Sequence, residues 1–440
     1  MADNQYYPVV IVPGIGQSKV VETDAAGNTL RTVWPLHIDK DGLIDKMKGP
    51  FMKMLFFRRD AGFSDALASA AHDALSGLAT RPDGNMARRL KAVTYNYPLS
   101  ECTAEEKRYI YKMAPVQNLS KVIGEENVFF FAYNSFARPY QVAEELRDFV
   151  KMVKERTGSE KVNYLPLSLG GAMFTAYLDL YGADDVHRVV YFVPALQGTL
   201  TLADVFRKKV DPGRAEAALG VVAGENAAAK LKPLLGMLPP DVLKNVTEKL
   251  LDTLICDVLS GSGAMWACLP PDVYDELAAK NLSDAAHKPL KEETDRYHAA
   301  QVSLPQTLKG LEEKGICIYI CACYGRSLME GLEHAGKSSS DGVIDIFSAS
   351  LGAKAAPLGR KLPEAEIGPS ARLSPDGTLD ASTGAFPNST WYFRNQYHDS
   401  IAYNDTALTV ALRALSDESF TGVDSDPALG QFQEKEDNRV

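Results

Sequence analysis

The chain has 440 residues, 45% of them hydrophobic and 24% charged, ordinary values for a globular α/β protein with room for insertions. A net charge of −10 argues against a nucleic-acid partner, which needs a basic face, and no run of Lys and Arg stands out as an anionic-membrane patch. Six cysteines do not make a disulfide framework, and no apolar run reaches the ~18 residues of a membrane span.

The opening MADNQYYPVVIVPG lacks the basic start, long apolar segment and cleavage site of a signal peptide. The expectation is a cytoplasmic, reduced protein; a secreted chain already freed of a leader reads the same way. Residues Tyr6 to Gly16 form a short apolar run ending in Pro and Gly, which predicts a buried strand. An excursion from about Val20 to Glu126 follows, with several short helical patterns.

Regular alternation then begins. Asn127 to Asn134 reads as a strand. Pro139 opens a helix that places Val142, Leu146, Phe149, Val150 and Val153 on one face. VNYLPL is the next strand, GGAMFTAYLDLY the next helix, and Arg188 to Pro194 a further strand. Strand and helix alternating over about 70 residues indicate a parallel sheet with crossover helices.

From Thr199 to Lys314 helical pattern dominates. One stripe there, Val242, Val246, Leu250, Leu254 and Val258, suits either a helix packed on its own domain or a lid over a lipid site. Ile316 to Gly325 and the segment STWYF restore strand character, and a last helix covers about Asn404 to Leu415. The predicted organisation is a core over residues 1–198 with a helical excursion at about 20–126, a helical cap at 199–314, a second core part at 315–416, and a mobile acidic tail at 417–440.

A serine hydroxyl becomes a useful nucleophile when a histidine takes its proton, an acid orients that histidine, and backbone amides receive the oxyanion. Ser168 stands where the strand VNYLPL meets the next helix, a turn that offers the N–H of Leu169 to an oxyanion. Small residues are expected two before and two after such a serine; Gly170 fits and Pro166 does not. A serine that merely ends a strand is the plain alternative.

The second amide belongs to a loop after an early strand, and Pro13-Gly14-Ile15-Gly16-Gln17 supplies one. It is not a dinucleotide fingerprint, since the third glycine is missing. The acid is expected after a later strand, where Asp341 precedes Gly342 and where Asp345 and Glu330 are possible substitutes. His398 occupies the expected late loop, with His334 its rival; His37 and His72 come too early, His187 precedes a strand, and His287 and His298 fall in the helical segment. Cys317, Cys321 and Cys323 read as buried strand residues rather than metal ligands, because no histidine pattern or second cysteine pair accompanies them.

Taken together these fragments resemble the lecithin:cholesterol acyltransferase-like branch of the α/β-hydrolases. PVVIVPGIGQS is similar to that family's first strand and oxyanion loop, VNYLPLSLGGAMFTAYL to its elbow, and VPALQGT to the Pro-…-Gly-Thr stretch after the next strand. SGAMWACLPPDVYDE resembles its Trp-x-x-Leu-Pro cap segment, SDGVIDIFSASLG its acid loop and HDSIAYND its histidine loop, all in the family's order. The elbow departs from the family, with Pro166-Leu167 in place of Gly-His, and paired cap cysteines are missing.

The resemblance implies an α/β-hydrolase fold with a mainly helical cap, and an acyl-enzyme on Ser168 with His398 as base and Asp341 as orienting acid. It also implies an oxyanion hole from the N–H groups of Ile15 and Leu169, Trp266 at the substrate, a lipid-like ester as partner, and no metal or organic cofactor. Two other readings stay open: an inactive scaffold that binds a lipid or protein, and a serine peptidase or amidase on the same fold.

Overall fold

The computed structural model describes residues 6–36, 40–213 and 236–434. Strand β1 (Val9–Val12) leads into an antiparallel sheet of β2 (Val20–Thr23), β3 (Thr29–Trp34) and β4 (Leu90–Ala92), with helices α1 (Lys40–Phe57) and α2 (Phe63–Leu75) between the last two. The excursion is therefore partly a small sheet rather than helices alone. Its hairpin is closed by Asp24, whose carboxylate accepts the amides of Ala26 and Asn28, and by Gly27 at φ +86°.

Next come α3 (Ala104–Met113), α4 (Gln117–Ile123), β5 (Val128–Phe130), α5 (Pro139–Thr157), β6 (Val162–Pro166), α6 (Leu169–Tyr181) and β7 (Val186–Phe192). The helical segment holds α7 (Leu200–Phe206), α8 (Pro240–Leu254), α9 (Gly263–Ala267), α10 (Pro271–Asn281) and α11 (Lys288–Glu312). The chain closes with β8 (Cys317–Tyr324), α12 (Ile346–Ser350), the short pair β9 (Lys354–Ala355) and β10 (Leu379–Asp380), β11 (Thr390–Arg394), α13 (Asp405–Ser416) and β12 (Phe432–Glu434).

Seven strands form one parallel sheet in the order β12-β11-β8-β7-β6-β1-β5. Both faces are covered, which is why its strands read as continuous apolar runs. Val10 and Val12 of β1 join the core under α5 and α6, while Val9 and Ile11 join the opposite core with α3, α4 and α13. Strand β8 divides the same way: Ile318, Ile320 and Ala322 on one side, Tyr319, Cys321 and Cys323 on the other. The two inner cysteines are core side chains, and burial pushes both thiols up. The fold is α/β, a parallel sheet flanked by helices as expected for an α/β-hydrolase.

The strand order fixes where a site can lie. From β1 the chain runs to β5 on one side and then returns to β6 on the other, so a crevice opens beyond the C-terminal ends of β1 and β6. Pro13 follows one of those ends, and Ser168 the other.

Two expectations need correction. Residues 417–434 are packed, not a mobile tail: Phe420 is buried, its ring stacked 5.4 Å from Trp391, whose indole N–H donates to the Leu429 carbonyl. A few well-placed apolar side chains anchor this otherwise polar stretch, and β12 then joins the sheet beside β11; residues 435–440 lie outside the described part. The helical segment 199–314 is not all cap, because α11 lies against α6 and β8 as a crossover helix of the core. Of the two readings of the apolar stripe, packing is the one observed: Val242, Val246 and Leu250 of α8 meet Met54 and Phe63 in a satellite core, and Leu254 and Val258 join the main one. No helix among the described residues is long and apolar enough to cross a membrane.

Candidate active site

Strand β6 ends at Pro166, and its backbone explains why a proline is tolerated there. The Leu167 N–H donates to the Val12 carbonyl at 2.9 Å and the Ser168 N–H to the Phe192 carbonyl at 3.1 Å, so alternate amides address β1 and β7. By that alternation the nitrogen of residue 166 faces β7, where pairing steps directly from Tyr164 with Val189 to Leu167 with Phe192. Proline removes a donor where that ladder lacks pairing.

Ser168 follows with φ +50° and ψ −118°, a conformation costly for any residue with a side chain. The turn is held by Gly170, whose N–H donates to Leu167; a Cβ at Gly170 would lie 2.0 Å from the Val12 carbonyl oxygen. Only glycine lets α6 start this close to β1. A Cβ at Gly14 would likewise lie 2.9 Å from that of Ser168, so the Pro13–Gly16 turn abuts the serine directly.

That turn is braced from four sides. The Gly14 N–H donates to Gln17 Oε1 at 2.5 Å, while Gln17 Nε2 donates to the Met113 carbonyl. The Gly16 N–H donates to Ser135 Oγ at 3.1 Å, the Trp34 indole N–H to the Gly16 carbonyl at 2.7 Å, and the Tyr133 hydroxyl to the Pro13 carbonyl at 2.6 Å. Among the described residues, Ile15 keeps the amide of this turn that no protein acceptor uses. Leu169 is the first residue of α6, where an amide has no intrahelical acceptor.

His398 and Asp341 come from loops after β11 and β8. The imidazole Nδ1 lies 2.6 Å from Asp341 Oδ2 and Nε2 lies 2.9 Å from Ser168 Oγ. Asp341 is 1% exposed, and its other oxygen accepts the amides of Val343 and Ile344 at 2.9 and 2.7 Å. With the carboxylate so held, the arrangement suits the tautomer with the proton on Nδ1 and the Nε2 lone pair toward the serine. The structure thus brings Ser168, His398 and Asp341 into one hydrogen-bonded chain at the crevice.

Arg326 joins the two loops. Its backbone pairs in both directions with Ser340, next to Asp341, its Nε donates to the Asn395 carbonyl at 2.8 Å, and its guanidinium lies 4.2 Å over the Tyr397 ring, next to His398. Sequence reasoning missed Arg326, Ser135, Tyr133 and Trp34 as supports. Only Gln17 carried a signal, standing inside the quoted glycine loop.

The rival residues are engaged elsewhere. His334 pairs with buried Asp204 at 2.7 Å, and Asp345 caps α12 through the Ser348 amide, while Glu330 is exposed. His187 stacks on Tyr7 at 3.8 Å, and His72 and His287 pair with Asp257 and Asp284. His298 is buried against the Trp266 carbonyl, and burial pushes its pKa down to about 4. His37 lies outside the described residues.

Trp266 is a correction. It is fully buried, packed 5.0 Å from Phe206, with its indole N–H on the Ser260 carbonyl, so it offers no surface to a substrate. A large aromatic on a short helix that faces the core behaves as core.

No protein-family model matches the chain, and neither does any curated protein. A solved structure titled "The crystal structure of Tle4-Tli4 complex" aligns over 93% of this chain and 98% of its own, at 12% identity and a TM-score of 0.41. What can be said of this chain therefore rests on its own residues, and these set a serine, an imidazole and a buried carboxylate in line at the switch point of an α/β sheet.

Proposed function

We propose that the protein is a serine ester hydrolase or O-acyltransferase of the lecithin:cholesterol acyltransferase-like branch, acting on a lipid-like ester. The observation that carries this reading is the Ser168–His398–Asp341 chain on a strained turn, with contacts of 2.9 and 2.6 Å. A separation beyond ~5 Å between the hydroxyl and the imidazole would have argued for an inactive scaffold.

In the proposed reaction, Ser168 Oγ attacks the ester carbonyl while its proton passes to His398 Nε2. Asp341 orients the ring and stabilises the imidazolium. The amides of Ile15 and Leu169 receive the oxyanion. Collapse expels the alcohol, which takes the proton from His398, and leaves an acyl group on Ser168. Water as acceptor completes hydrolysis; a lipid alcohol completes transfer. The route needs no metal or organic cofactor. The proposed setting is the cytoplasm, in keeping with six free thiols.

Fluorophosphonate labelling tests it. The wild type is expected to label and to cleave p-nitrophenyl esters, faster for longer acyl chains than for acetate. Ser168→Ala is expected to lose labelling and at least about 10⁴-fold in kcat/KM. Labelling that survives the substitution removes Ser168 as nucleophile, and preferential cleavage of peptide amides moves the reading to a peptidase.

A further inference from the structure

Helix α1 ends in Phe51-Met52-Lys53-Met54-Leu55-Phe56-Phe57, with Arg58 and Arg59 directly after it. Of these apolar side chains only Met54 is buried, in the satellite core with Phe63 and α8. Phe56 is 83% exposed, Met52 60%, Phe57 53% and Leu55 51%; Phe51 and, two turns earlier, Ile44 are exposed too. Helical spacing accounts for the split. Met47 and Met54, seven residues apart, turn toward α2, and the Phe51 ring lies 6.0 Å from that of Phe63 at the start of α2, while Ile44, Leu55, Met52 and Phe56 spread over a broad arc pointing away. Scattered exposed hydrophobes are ordinary, but six within fourteen residues are a local concentration.

Charge says what such a patch would meet. Residues 42–59 carry Lys46, Lys48, Lys53, Arg58 and Arg59 against Asp45, and Lys46 is paired with Asp73 of α2, which leaves a local excess of +3 on a chain whose net charge is −10. Arg59 lies 5.5 Å over the Phe57 ring, so a cation sits at the base of the apolar tip. An anionic surface would repel the acidic remainder of the chain and attract this end, which sets one orientation. Apolar tips entering a hydrocarbon boundary while cations meet headgroups is how an interfacial helix binds.

We propose that the second half of α1, with Arg58 and Arg59, is a docking surface for a lipid bilayer that carries anionic headgroups. The cluster escapes a reading by charge alone because its cations are interleaved with hydrophobes whose exposure the sequence does not reveal. The surface stands on exposure and charge and is independent of the ester chemistry.

The test is vesicle flotation with the full chain carrying Ser168→Ala, so that no lipid is turned over. Vesicles of phosphatidylcholine with phosphatidylglycerol are compared with phosphatidylcholine alone. Binding is expected on the mixed vesicles, about tenfold stronger than on the neutral ones and weakened by salt. Phe56→Asp, at a site exposed enough to leave the fold and its melting temperature unchanged, is expected to lower binding about tenfold. Lys53→Glu with Arg58→Glu is expected to remove the preference for the anionic vesicles. Equal binding to both vesicle types, binding unaffected by Phe56→Asp, or no flotation overturns the proposal. An absence of flotation together with self-association that Phe56→Asp abolishes also overturns it, in favour of a contact between two copies of the chain.

Discussion

Two imidazoles in this molecule face buried carboxylates at nearly the same distance. His398 meets Asp341 at 2.6 Å and His334 meets Asp204 at 2.7 Å, and both carboxylates are almost fully buried. His334 and Asp341 even share one loop after β8. What separates the pairs is the second nitrogen: for His398 it reaches Ser168, whereas the described partner of the His334 ring is Asp204 alone, which also accepts the His334 backbone N–H. Asp204 belongs to α7, so the second pair fastens that helix to the loop. A His–Asp pair is therefore a fastening as readily as a piece of chemistry, and the strained turn at the sheet's switch point is what distinguishes the two.

The largest break in this comparison is expected from Asp341→Asn. It keeps the shape but loses the charge and favours the wrong tautomer of His398, so kcat should fall about 10³- to 10⁴-fold with the fold intact. A loss under tenfold would reduce Asp341 to the rank of Asp204.

Asp345, four residues on, sharpens the contrast by pH. Burial pushes its carboxyl up to about 6 from an ordinary 3.8, so the fold favours its neutral form. That advantage is full below the ordinary value and is lost as pH rises through about 6. Asn at this position stays neutral and can still cap α12. Relative to Asp345→Asn, the wild type should therefore lose up to about 3 kcal/mol between about pH 4 and pH 7, read from urea midpoints. Parallel pH profiles for the two proteins would contradict the assignment.

Arg326→Ala should loosen the clamp between the Asp341 and His398 loops. The expected result is a kcat about 10- to 100-fold lower with KM nearly unchanged. A raised KM at constant kcat would place Arg326 on the substrate instead. The smallest effect on turnover belongs to His334→Ala, which leaves Asp204 with one donor fewer. It should cost about 1–2 kcal/mol of stability while kcat/KM of the folded protein stays within about threefold. A larger fall in turnover would make the second pair part of the chemistry.

The central strands were legible because a sheet buried on both faces demands unbroken apolar runs, and VVIV or CIYICACY can do little else. Ser168, Asp341 and His398 were singled out by chain order, since each follows a strand, together with the family resemblance, and both Ser168 and Asp341 lie within hydrogen-bonding distance of His398. The small sheet of β2, β3 and β4 was not, because Thr29 to Thr32 are exposed and show no buried periodicity. Pro166 looked like a defect for a different reason. Its tolerance depends on which neighbour its nitrogen faces, and that lies in the pairing of β6 with β7. Trp266 misled because a motif records a residue type and not the direction it points. Arg326 and Tyr133 act through partners 69 and 120 residues away, a separation that no local pattern spans.

The last described residues have a consequence for handling the protein. Strand β12 is only three residues long, yet it covers the outer edge of β11, the strand that carries Trp391, Tyr392 and Phe393. Cutting the chain before Phe420 would uncover a row of unpaired amides and carbonyls beside three aromatic side chains, a template onto which other chains can add. A stretch that looks dispensable by its acidity is thus the seal on an adhesive edge, and shortened versions of the protein should aggregate before they lose their fold.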